Sequence, residues 1–158
     1  MDGKKGKAPA TRDYFAELYV AGLMGDRKWN VYFPKRDDGF DFVATKVVGG
    51  GTVIRPVQVK GLYPTREKLD KVAYRWTGRL SQTHPSMILA LVYFSPDHET
   101  PAPECVAFMP FSMLKPTSKG GWRVEPVSLK AGKVIPRKSY VGYFGKIGMQ
   151  YFENDNSK

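Results

Sequence analysis

Three polar side chains stand where a buried hairpin would ordinarily carry valines. Asp41 interrupts the run Gly-Phe-Asp-Phe-Val-Ala from position 39, and Gln58 and Lys60 alternate with valines in Val-Gln-Val-Lys-Gly from position 57. A carboxylate and an amide oxygen together can hold a divalent ion, which polarises a phosphate and lowers the pKa of a bound water. A lysine beside them can stabilise the negative charge that develops on the phosphate, or orient the attacking water. The chemistry this trio suits is metal-assisted phosphodiester hydrolysis. The plainer reading is an ion pair in which Asp41 and Lys60 neutralise each other across a hairpin. A buried pair of that kind is usually no more stable than the apolar residues that could replace it, which favours a functional role.

Whether the three meet depends on strand register. Residues 40–48 alternate as one strand, glycines 49–51 turn, and residues 52–60 return as its partner. A two-residue turn at 49–50 sets Asp41 opposite Gln58, and a turn at 50–51 sets it opposite Lys60. Both registers gather the trio on one face, at the end of the hairpin away from its turn. A three-residue turn without a bulge opposes Asp41 to Val59 and scatters the polar groups.

The surrounding elements follow from periodicity. A helix is expected from Thr11 to Gly25, capped by Thr11 or Asp13, with Phe15, Leu18, Tyr19 and Gly22 on one apolar face. Val20 and Met24 form a second stripe that includes Glu17, so this helix is expected to pack on both sides and leave Glu17 partly exposed. Residues 29–33 read as a short strand ended by Pro34, and residues 64–76 as a helix begun by Pro64. The run Met-Ile-Leu-Ala-Leu-Val-Tyr-Phe at 87–94 predicts a central strand buried on both faces, with 104–111 as its neighbour. Residues 112–116 suggest a single turn, 121–127 a short strand, and 139–152 an aromatic, Gly-interrupted helix or strand. Helix, strands, helix, strands is the order of an α/β fold, a central mixed β-sheet flanked by helices.

The chain has 158 residues, 42% of them hydrophobic and 13% aromatic, which suits one folded domain over 12–158 behind a small, basic, mobile arm at 1–11. The longest apolar run is too short for a bilayer and the first residues lack the apolar centre of a signal peptide. A soluble, cytoplasmic protein with no membrane partner is expected. The single Cys105 excludes an internal disulfide and a Cys-rich zinc site, and His84 and His98 lie in polar, proline-flanked stretches that read as loops. Asp37 and Asp38 read as turn residues. The net charge of +10 attracts polyanions, of which nucleic acid is the commonest inside cells. The cations fall in several patches: Lys4, Lys5 and Lys7; Lys28, Lys35 and Arg36; Arg66, Lys68, Lys71, Arg75 and Arg79; Arg137 and Lys138. Of these, Lys4, Lys5, Lys7, Arg66, Arg75 and Arg79 are the candidate DNA contacts, with Trp76 as a packing residue and Tyr140, Tyr143, Phe144, Tyr151 and Phe152 as core or interface.

The residues Glu-Leu-Tyr-Val-Ala-Gly-Leu-Met on the first helix, then Trp-Asn-Val, Asp-Gly-Phe-Asp-Phe-Val-Ala and Val-Gln-Val-Lys-Gly, resemble the PD-(D/E)XK nuclease superfamily from about Tyr14 to Leu62. Residues 85–94 fit that superfamily's next core strand, and beyond Phe111 the resemblance ends. The Gln-x-Lys form is similar to methylated-DNA restriction nucleases, archaeal Holliday-junction resolvases and bacterial intron homing endonucleases. The resemblance implies a restriction endonuclease-like core in which Glu17 is the helix carboxylate, Asp41 the central metal ligand, Gln58 the second ligand and Lys60 the catalytic lysine. It implies Mg2+ or Mn2+ as cofactor and DNA as substrate, with a homodimer or homotetramer for cutting both strands. Phe40 stands where the superfamily commonly has proline, and Gln58 where it usually has a carboxylate, which removes a negative charge from the ion site. The alternatives are a non-catalytic nucleic-acid-binding module that keeps the fold, and a small basic protein-interaction domain.

Overall fold

Gly49 and Gly50 both adopt positive φ, 57° and 81°, the conformation a two-residue hairpin turn demands and glycine supplies without strain. They join β2 (Phe42–Val48) to β3 (Gly51–Leu62) and close Val48 on Gly51. This is the first of the expected registers, pairing Phe42 with Val57, and the ladder ends there, one residue before the Asp41–Gln58 pair that would have come next. The computed structural model of the chain describes residues 11–36, 38–64, 70–95 and 102–154, with side chains from residue 14 onward. The basic arm with Lys4, Lys5 and Lys7, and also Asp37, Arg66, Lys68, His98 and the capping side chains of Thr11 and Asp13, lie outside what is described.

Helix α1 (Thr11–Asp26) precedes β1 (Asn30–Tyr32), which adds to the edge of β2. On the other side β3 lies parallel to β5 (Ile88–Phe94), and β5 pairs antiparallel with β6 (Pro103–Pro110), giving a five-stranded mixed sheet in the order β1-β2-β3-β5-β6. Every residue of β5 is buried, as its unbroken apolar run predicts. Ile88, Ala90, Val92 and Phe94 enter one core, and Leu89, Leu91 and Tyr93 the other.

The first core lies under α1 and the short helix α2 (Gly145–Tyr151), where Ala16, Val20 and Met24 meet Phe42, Ala44, Val57 and Val59, with Met149 and Phe152. The second core is covered not by a helix but by a second sheet. β4 (Lys71–Gly78) pairs with β8 (Trp122–Lys130), which also pairs with β7 (Lys115–Pro116) and β9 (Lys133–Pro136). The helix expected over 64–76 is therefore corrected for the part described: from Lys71 the chain is a strand. Tyr74 and Trp76 point to the second core while Arg75 and Thr77 are exposed, a period of two that β8 can satisfy with backbone hydrogen bonds. The mixed central sheet with flanking helices stands, with both described helices on one face.

Helix α1 is packed on one side rather than two. Phe15 and Leu18 are exposed, and Glu17 borders buried Ala16 at intermediate exposure. Residues 139–152 form a 3-10 turn (Lys138–Tyr143) followed by α2, and Tyr143, Tyr151 and Phe152 pack ring to ring as core. Among the described residues no helix is long and apolar enough to cross a membrane.

Candidate functional site

The regular β2–β3 ladder ends one residue short of Asp41. The Asp41 backbone N–H donates to Val57 O at 2.9 Å, and its Oδ2 accepts from the Val59 N–H at 2.6 Å. That N–H points in the plane of the sheet, so the carboxylate occupies the ladder position that a β2 carbonyl would have filled. Two residues earlier, Gly39 runs close against the Ser81–Gln82 segment. Its φ is +107°, and a Cβ there would stand 2.6 Å from Ser81 Oγ and 2.9 Å from Gln82 Cβ, so only glycine lets the chain pass this close.

Along β3 the side chains alternate. Arg55, Val57 and Val59 are buried, the two valines in the core under α1, while Gln58 and Lys60 share the other face with Leu62 and remain partly exposed. Gln58, Lys60, Arg79, Leu80, Ser81 and Gly120 line a cavity of about 370 Å³. Arg79 donates to Lys119 O at 3.3 Å, tying the loop that follows β7 to the end of β4. That loop is closed on itself, Thr117 N donating to Gly121 O at 2.9 Å and Gly121 N to Thr117 Oγ1 at 3.0 Å. The cavity thus offers an ammonium, a guanidinium, an amide and a hydroxyl, a donor-rich lining suited to a phosphate.

Gln58 and Lys60 come together as the spacing predicts, while Asp41 does not line their cavity and its carboxylate is bonded to the Val59 N–H. Glu17 does not line this cavity. It rides on α1, which covers the opposite face of the sheet from Gln58 and Lys60. Among the described residues no three His, Cys, Asp or Glu side chains cluster as a metal cage. The donors that are present, a carboxylate fixed by a backbone N–H and an amide oxygen, are hard oxygen ligands. Oxygen donors of this type suit Mg2+ or Mn2+, and magnesium is often held by only one or two carboxylates.

The remaining candidates sort by environment. Exposed Arg75 on β4 is engaged, its Nε donating to Glu125 Oε1 at 2.6 Å. Trp76 is core, and His84 is an exposed turn residue whose Nδ1 accepts from the Ser86 N–H at 3.0 Å. Burial, with the charge of Glu104, pushes the Cys105 thiol up to about 12, so it is no nucleophile. Sequence reasoning missed a second polar cavity, of about 260 Å³, whose lining includes Lys115, Arg123, Glu125, Arg137, Ser139 and Tyr140. The alternation of Arg123 and Glu125 along one strand was its only local signal. No protein-family model matches the chain, and no curated protein matches it either.

Proposed function

We propose that this protein is a metal-dependent DNA endonuclease with a PD-(D/E)XK-type site formed by Asp41, Gln58 and Lys60. The observation that supports the reading is the hairpin register set by Gly49 and Gly50, with the Asp41 carboxylate bonded to the N–H of Val59, the residue between Gln58 and Lys60 in the chain. β5 then pairs directly with β3 as the next core strand. In this reading Asp41 and Gln58 would hold Mg2+ or Mn2+, which would supply Lewis-acid polarisation of the scissile phosphate and a more acidic water. Lys60 stabilises the negative charge that develops on the phosphate, and Arg79 and Ser81 orient it in the cavity. The backbone N–H of Val59 holds the Asp41 carboxylate in place. Glu17 belongs to the reading through the resemblance alone, as a second carboxylate. The proposed setting is the cytoplasm, and double-strand cleavage calls for two or four copies of the chain.

The second reading is a nucleic-acid-binding module that no longer cuts. It is favoured by the neutral Gln58 and by a cavity lining with two cations and no carboxylate. Incubation with plasmid, four-way junction and single-stranded DNA, with and without magnesium or manganese, separates the two. Metal-dependent cleavage that Lys60→Ala abolishes, with DNA binding kept, supports the nuclease. Salt-sensitive binding with no cleavage under any of these conditions leaves the binding module.

A further inference from the structure

The outward face of the second sheet is built in rungs. Thr77 on β4 pairs with Arg123 on β8, and Arg123 pairs on its other side with Lys115 on β7. The next rung holds Arg75, bonded to Glu125, and Arg137, whose Nη1 donates to Glu125 O at 2.8 Å and lies 3.9 Å from Glu125 Oε2. Like charges directly opposed across an antiparallel pair destabilise a sheet, and an anion between Lys115 and Arg123 would relieve that cost. The single carboxylate lining this cavity, Glu125, is hydrogen-bonded to Arg75 and shared with Arg137 and Arg123, so the lining keeps an excess of positive charge. Three cations thus surround a space of about 260 Å³, with Ser139 and Tyr140 beside them and Val124 below. A phosphate group and several waters fit there, a water taking about 30 Å³.

We propose that this face is a second phosphate-binding surface, centred on Lys115, Arg123 and Arg137, that grips the backbone of the duplex DNA presented to the Lys60 cavity. Arg79 connects the two regions: it lines the Lys60 cavity and lies four residues beyond Arg75. At about 3.3 Å per strand residue that separation is roughly 13 Å. Backbone phosphates recur about every 3.4 Å of duplex axis on each strand, so one duplex reaches both regions within a few base pairs. The proposal rests on the nucleic-acid part of the function proposed above and not on cleavage.

The test is binding of fluorescein-labelled duplex DNA across a salt series in EDTA, so that cleavage plays no part. The variants are Lys115→Ala/Arg123→Ala, Lys115→Ala alone, and Lys60→Ala for reference. The double variant should bind several-fold more weakly, and its slope of log affinity against log salt should flatten by nearly two. Its Tm should hold or rise, because the opposed charges are gone. Wild-type affinity and slope in the double variant would overturn the proposal, whatever the cleavage assays give. If the double variant is destabilised, exposed Lys115→Ala alone decides: a slope flatter by about one supports the surface, and an unchanged slope overturns it. A Tm rise with inorganic phosphate that the double variant loses, with duplex binding untouched, would also overturn it, by assigning the cavity to a free anion.

Discussion

The Asp41 carboxylate has one duty in this structure and a second in the proposed reaction, and two substitutions at this position separate them. It accepts the Val59 N–H at 2.6 Å, and in the proposed reaction it also holds the ion. Asp41→Asn keeps an oxygen for the N–H and removes the charge, so Tm should stay near wild type while metal-dependent cleavage is lost. Asp41→Ala leaves the Val59 N–H without its acceptor and should in addition cost about 1–3 kcal/mol, read by thermal melts. Gln58→Glu runs the other way. With an ion beside it the added carboxylate should raise magnesium affinity, and magnesium should restore the Tm lost in EDTA. Equal destabilisation with and without magnesium would remove Gln58 from the ligand set.

At the scale of elements, the second sheet depends on a pair that pH can break. Its hydrogen bond to Arg75, together with the charges of Arg75, Arg123 and Arg137, holds the Glu125 carboxyl below the ordinary glutamate value of 4.5. A folded-state pKa lower than the unfolded one adds stability that is full above 4.5 and is lost as pH falls through the depressed value. Melts of wild type and Glu125→Gln should therefore differ near neutrality and converge in acid. A constant difference across that range would mean that the β4–β8 pairing does not draw on this charge. The pair is solvent-accessible, so high salt should also shrink the gap.

For the molecule as a whole, the linchpin is a buried charge. Arg55 on β3 reaches the C-terminal segment, its Nε donating to Phe152 O at 3.2 Å and Nη2 to Asn154 O at 3.0 Å, with its guanidinium 5.6 Å from the Phe152 ring. The same side chain reaches Ser86 O, just before β5. It thereby ties α2 to the strand that carries Gln58 and Lys60. Lysine cannot reproduce this fork, so Arg55→Lys should lose about 2 kcal/mol and lower Tm by roughly 4–8 °C. The loss should appear first as faster amide exchange in α2, and unchanged protection there would show that the helix docks by apolar contacts alone.

Local pattern carried much of this structure. Alternation along 42–48 and 51–62 with glycines between them specified a hairpin, and the unbroken apolar run at 88–94 specified a strand buried on both faces. Gln58 and Lys60 share a face because side chains two apart on a strand must. Three things depended on distant partners. The segment from Lys71 became a strand because β8, about fifty residues later, supplied the ladder that its local pattern could not reveal. Helix α1, which carries Glu17, covers the face of the sheet opposite Lys60 because packing chose that side, and helix periodicity says only which residues are buried. Lys115 stands opposite Arg123 because a hairpin closed between them, and no one-dimensional pattern shows which cations will meet. Sequence determines the alternation of each element through the geometry of its own backbone. Burial across the whole chain determines what each face meets.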